Sequence, residues 1–179
     1  MNKRHEKIKI LLDKIGKFKN GVDIGCDDGI DLEILNKYGK CIGTDIVSKN
    51  HFIHDDITNS KLNDNSYDFV YTNLVLPHII KIDSAIKEIS RITRSGGHIL
   101  IIVFADCLGH RIFRTKFKKS ITPYHQSRGP PYPIFRLYTK KDLKIIFESN
   151  GFKTIEIGNF EYNLKHHIGK RYYYIGEKK

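Results

Sequence analysis

Two acids and two glycines alternate through Asp23, Gly25, Asp27 and Gly29, and they close a short β-type run, Val22-Asp23-Ile24. Glycines at this spacing let the backbone turn tightly and approach a ligand with no Cβ in the way. A helix predicted to follow the turn presents free N–H groups that suit an anion such as a carboxylate. Asp45, 22 residues after Asp23, ends a second β-type run, Cys41-Ile42-Gly43-Thr44-Asp45-Ile46. In dinucleotide folds an acid at about that spacing takes the ribose hydroxyls. The chemistry predicted is nucleoside-cofactor binding beyond the carboxyl ends of parallel strands.

Three cofactors share this pattern: NAD, FAD and S-adenosylmethionine. Two acids in the turn, Asp27 and Asp28, repel a pyrophosphate but suit a ligand that carries an ammonium and a sulfonium. Residues 20–103 point the same way, with eight basic side chains against twelve acidic ones.

The positioning elements follow from periodicity. Ile8, Leu11, Leu12, Ile15 and Phe18 form the stripe of an amphipathic helix over residues 4–18, ended by Asn20-Gly21. After the glycine turn comes a helix through Ile30, Ile34 and Leu35, then the second strand and a stunted third at His51-Phe52-Ile53. Tyr67–Thr72 is a fourth strand, rich in aromatic and β-branched residues. Asp83 is placed to cap a helix carrying Ala85, Ile86, Ile89 and Ile92, with Ser95-Gly96-Gly97 as its stop. The apolar run Ile99–Val103 predicts a strand covered on both faces. Thr139 and Asp142 resemble a capping box before Leu143, Ile146 and Phe147. Asn150-Gly151 stops that helix, and strands at 153–157 and 171–175 close the chain. Alternating strands and helices predict βαβ units and one domain over residues 1–179. Within it, 1–19 is an N-terminal helix, 20–104 a cofactor half, 105–137 a substrate-side lid and 138–179 a helix with a strand pair.

On these motifs the chain resembles the class I S-adenosylmethionine-dependent methyltransferases, of the methyltransferase type 11-like group. Val22-Asp23-Ile24-Gly25-Cys26-Asp27-Asp28-Gly29 matches the family's first motif, with Asp27 in place of its middle glycine, a change that tightens the loop. Gly43-Thr44-Asp45-Ile46 matches the second. His54-Asp55-Asp56-Ile57 looks like the segment after the third strand, and Ser66–Asn73 like the fourth-strand motif. The glycine–glycine–strand signature is similar to Ser95–Leu100. The resemblance implies an α/β, Rossmann-like, doubly wound and mostly parallel seven-stranded sheet, order 3-2-1-4-5-7-6, with the last strand antiparallel and helices on both faces. It implies S-adenosylmethionine as cofactor and S-adenosylhomocysteine as product; the absence of a CxxC pair or of histidines at zinc-finger spacing predicts no metal site. The cofactor-binding residues it implies are Asp23, Gly25, Cys26, Asp27, Gly29 and Asn73 around the turn and Asp45 with Ile46 at the ribose. Asp56 would accept from the adenine amino group while Ile57 packs on the ring; Asp55 can exchange with Asp56. Cys26 reads as a packing residue, not a nucleophile. Thr72-Asn73-Leu74-Val75 lacks the Asn/Asp-Pro-Pro-Tyr pattern of nucleic-acid amino methylases, which argues against that subclass.

The acceptor is less legible. Residues 104–141 hold nine basic side chains against Asp106 alone, and residues 105–137 hold four of the five prolines. Loops between this strand and the next helix carry substrate-side residues in such folds. Candidates there are Arg111, Arg114, Tyr124, His125, Arg128 and Arg136, with arginines able to fork onto carboxylate or phosphate. His78, after Pro77, is a candidate general base or a structural histidine. A small anionic metabolite is the preferred acceptor, with RNA as the alternative and a non-catalytic partner or regulatory role as the reading of another class; a dehydrogenase fits least. Cys26, Cys41 and Cys107 are far apart and read as reduced cysteines of a cytoplasmic protein. No stretch is apolar enough for a membrane span, and the oligomeric state is left open.

Overall fold

A computed structural model describes residues 3–47, 52–106, 136–160 and 170–179. The first helix, α1 (Lys3–Ile15), buries Ile8, Leu11 and Leu12. It ends three residues sooner than the stripe predicts, because Gly16 takes a positive φ of 90° and its N–H returns to the Leu12 carbonyl at 2.8 Å. Phe18 therefore lies outside the helix and stacks on Phe69 with ring centroids 4.5 Å apart. Asn20, expected at a helix stop, instead opens β1 (Asn20–Ile24).

The next elements are α2 (Leu32–Leu35), shorter than predicted, then β2 (Lys40–Asp45), β3 (Ile53–His54) and β4 (Tyr67–Asn73). A 3-10 turn, Leu76–His78, leads to α3 (Ile82–Ile92). Lys81 occupies its N-cap and Asp83 lies in its first turn, so Asp83 acts on the helix dipole instead of capping it. The helix stops at Ile92, where Thr93 Oγ1 donates to the Ile89 carbonyl at 2.6 Å. Ser95-Gly96-Gly97, expected as a helix stop, belongs to β5 (Thr93–Phe104). The capping box is present at α4 (Lys140–Glu148), with Asp142 N–H donating to Thr139 Oγ1 and Thr139 N–H donating to Asp142. The chain closes with β6 (Phe152–Phe160) and β7 (Arg171–Lys178), both longer than predicted.

The seven strands form one sheet in the order β3-β2-β1-β4-β5-β7-β6. β1 pairs in parallel with β2 and β4, β4 with β5, and β2 with β3. β7 runs antiparallel to β5 and β6. The predicted order and orientation are the ones found. Both faces of the sheet are covered, as a mostly parallel sheet requires. Val22, Val70, Ile99 and Ile101 pack with α3 and α4 on one face. Phe69, Tyr71, Leu100 and Ile102 pack with α1 and α2 on the other. Asp68 locks β1 against β4 from below: its two oxygens accept from the N–H groups of Asn20 at 2.7 Å and Lys19 at 2.9 Å. No helix among the described residues is long and apolar enough to cross a membrane.

Candidate functional site

Parallel β2, β1 and β4 bring their carboxyl ends together, and strand order reverses beside β1, the place where open α/β sheets bind ligands. Here the glycine turn folds onto the end of β2. The N–H groups of Gly25 and Cys26 donate to the Thr44 carbonyl at 2.7 and 3.0 Å. The N–H of Asp27 donates to Asp45 Oδ2 at 3.0 Å. Val47 N–H donates to the other oxygen, Oδ1, at 2.8 Å. Gly25 has a φ of 70°, and a Cβ there would sit 2.3 Å from Val75 Cγ2, so only glycine fits. Asp27, which stands at the family's middle glycine, has a φ of 52°. Aspartate tolerates the left-handed region better than most residues, and so the loop keeps the backbone path a glycine would give it.

Asp45 is half-buried with its two oxygens bonded to the turn, and each keeps a second lone pair for a ligand hydroxyl. Ile46 beside it is 59% exposed, an apolar surface at the strand end. Asp55 and Asp56, interchangeable in sequence, differ in space. Asp55 is buried and accepts from Ser60 Oγ at 2.6 Å and Lys61 N–H at 2.8 Å. Asp56 is exposed and accepts from Thr58 N–H at 2.9 Å. Ile57 is buried in the core cluster with Ile24, Leu62 and Leu76. Cys26 is buried too, and its Sγ lies where a Cβ on Gly43 would meet it at 2.7 Å, which is a packing role.

Beneath the turn lies a polar layer that the sequence does not reveal. Asp31, 3% exposed, accepts through Oδ2 from Tyr71 Oη at 2.8 Å, Asn73 Nδ2 at 3.1 Å and the Arg4 guanidinium. Arg4 and His5 come from the first turn of α1. Asp23 points into the same layer, where burial first, and the nearby Asp31 charge second, push its carboxyl well above the usual range. Burial and Asp31 likewise raise the Tyr71 hydroxyl. In sequence Asp31 resembles an ordinary N-cap, yet it makes no side-chain cap bond. The one available signal was a helix-start acid facing polar residues on a neighbouring strand, Tyr71 and Asn73.

On the acceptor side, His78 ends the 3-10 turn after β4. Its ring stands edge-on to Phe104 with centroids 6.3 Å apart. Arg136 is engaged with backbone: its guanidinium donates to the carbonyls of Ile79 and, at 3.1 Å, Ile80, and its N–H to that of Pro77 at 2.8 Å. Those bonds make it a clamp on the turn. Arg111, Arg114, Tyr124, His125 and Arg128 lie outside the described residues, as does Cys107. No cluster of metal-ligating side chains occurs among the described residues.

The sequence profile of a methyltransferase domain matches residues 3–157. The chain belongs to the methyltransferase domain family. Solved structures agree on the fold of this methyltransferase. A S-adenosylmethionine-dependent methyltransferase from Methanosarcina mazei superposes with a TM-score of 0.75 at 18% identity, covering 94% of this chain and 96% of that one. The Burkholderia thailandensis 1,6-didemethyltoxoflavin-N1-methyltransferase, with 1,6-didemethyltoxoflavin and S-adenosylhomocysteine bound, gives a TM-score of 0.75 at 13% identity, covering 99% of this chain and 78% of that one. No curated protein matches the chain in sequence. The cofactor of the methyltransferase is S-adenosylmethionine, and the residues present fit it. Gly25 leaves backbone where any Cβ would collide, and Asn73 Oδ1 is buried at the end of β4 with no hydrogen-bond partner.

Proposed function

We propose that the enzyme transfers a methyl group to a small anionic acceptor, with the cofactor held across the ends of β1, β2 and β4. The observation that carries the cofactor pose is the joint between Asp27 N–H and Asp45, which sets the glycine turn and the acid as one frame. Asp45 takes the ribose hydroxyls on its remaining lone pairs, Ile46 covers the adenine ring, and exposed Asp56 accepts from the adenine amino group. Gly25, Cys26, Asp27 and Gly29 border the methionine end together with Asn73, while Asp23 supports that end from below. Ile57 holds the loop from within the core. The bound cofactor supplies a methyl group on a sulfonium, open to in-line displacement.

Placement of the acceptor nucleophile behind that methyl supplies much of the rate. A base is needed only where the nucleophile holds a proton of high pKa, and His78 is the side chain near enough to the end of β4 to be tested for it. The basic excess of residues 104–141 supports an anionic acceptor. Calorimetric titration with S-adenosylmethionine and S-adenosylhomocysteine, with Asp45→Ala beside the wild type, tests the site. Saturable binding weakened by the substitution supports it; absence of binding to folded protein overturns it in favour of a non-catalytic role. Methyl transfer to anionic metabolites and to RNA, followed across salt concentration, then separates the acceptors. RNA binding weakens steeply with salt because phosphate contacts release counterions.

A further inference from the structure

The two carboxylate oxygens of Asp31 have unequal surroundings. Oδ2 accepts from Arg4, from Tyr71 Oη at 2.8 Å and from Asn73 Nδ2 at 3.1 Å. Oδ1 is buried and has no hydrogen-bond partner. Its neighbour His5 Nε2 is 3.9 Å away, beyond hydrogen-bond reach, and is itself buried without a partner. Asn73 is oriented by the bond from its Nδ2, which leaves its own Oδ1 buried and without a donor. The acceptors are therefore not chance surface atoms, since Asp31 is 3% exposed. Buried acceptors in native proteins almost always find a donor.

Three constraints define what supplies it. The partner must bring hydrogens, because Asp31 Oδ1 and Asn73 Oδ1 are both acceptors. A cation suits it, because the site holds a carboxylate in a setting removed from water. Finally, the partner must reach the glycine turn, since Asn73 ends β4 and Asp31 follows Gly29 by two residues. An ammonium group has three donors and no acceptor.

We propose that Asp31, together with Asn73, receives the ammonium of the cofactor's amino-acid end, and that Arg4 and His5 place the first turn of α1 against it. This rests on the cofactor reading of the site. It makes α1 part of the binding site and not merely a cover for the sheet.

The test uses four probes titrated into the full chain: S-adenosylhomocysteine, its analogue lacking the amino group, its analogue lacking the carboxylate, and 5′-methylthioadenosine. Loss of the ammonium from the ligand is expected to weaken wild-type binding by about 10-fold to 100-fold, the range of a charged hydrogen bond. Asp31→Asn should erase that discrimination while leaving the penalty for the missing carboxylate. Thermal melting reports whether the variant folds; Asn73→Ala, which removes the second acceptor, should reduce the same discrimination and serves if it does not. Equal wild-type affinity for the homocysteine compound and its deaminated analogue overturns the assignment of Asp31 while the cofactor reading stands. So does an Asp31→Asn variant that weakens all four probes by one factor. Failure of all four to bind the wild type removes the cofactor reading and this proposal with it.

Discussion

The N–H of Asp27 donates to Oδ2 of Asp45 across 3.0 Å, joining the turn after β1 to the acid that ends β2. With the Val47 N–H on the other oxygen, this carboxylate organises two loops at once. Asp45→Ala removes both acceptors. It is expected to cost about 1–3 kcal/mol of stability and at least about tenfold in affinity for S-adenosylhomocysteine. Denaturant unfolding and calorimetry check the two effects, and an unaltered affinity would remove Asp45 from the site.

Gly25 and Gly96 both have positive φ, 70° and 74°, but only Gly25 also lacks room for a Cβ. Gly96→Ala should therefore cost about 1 kcal/mol, from backbone strain alone. Gly25→Ala adds the collision with Val75 and should cost about 2–4 kcal/mol. Paired urea titrations test this, and equal losses would mean that Val75 moves aside freely.

The Asp23 carboxyl is raised above its ordinary 3.8, mainly by burial. The folded protein then holds this proton more tightly than the unfolded chain does. Its contribution is complete below the unfolded value and is lost as pH rises through the folded one. Asp23→Asn cannot titrate, so its stability should improve relative to wild type as pH climbs above about 4. Unfolding curves over that range decide it, and a constant difference would show that Asp23 titrates normally.

Arg136→Ala frees the carbonyls of Ile79 and Ile80. The expected loss is about 1–3 kcal/mol in unfolding experiments, with affinity for S-adenosylhomocysteine unchanged. A parallel fall in that affinity would show that the clamp extends its influence to the ligand.

What sequence conveyed here was local or periodic. Alternating strand and helix patterns carry the parallel βαβ units, the strand order follows only from the family resemblance, and the glycine turn with Asp45 lies within one βαβ unit, so spacing alone reveals it. Helix ends were misjudged where a single residue overrode the stripe: Gly16 cuts α1 short of Phe18, and Thr93 hands the chain to β5 before the glycines. Asp31 was illegible because its partners come from elsewhere in the chain, Arg4 27 residues before it and Asn73 42 after it. The backbone role of Arg136 was hidden in the same way. A guanidinium in a basic stretch suggests an anion, and only tertiary contact shows that it serves backbone carbonyls 56 and 57 residues away.

Ala105 and Tyr138 form a bridge, reinforced by Asp106 N–H on the Tyr138 carbonyl at 2.7 Å and Tyr138 N–H on that of Phe104 at 3.0 Å. The described ends on either side of residues 107–135 thus meet at a single seam. The entropy of closing such an interval grows only with the logarithm of its length. On the proposed reading of 105–137 as the acceptor side, that interval is exchangeable as a cassette without disturbing the donor-binding frame. A chimera stitched at this seam should alter which molecule is methylated and leave the affinity for the methyl donor as it was.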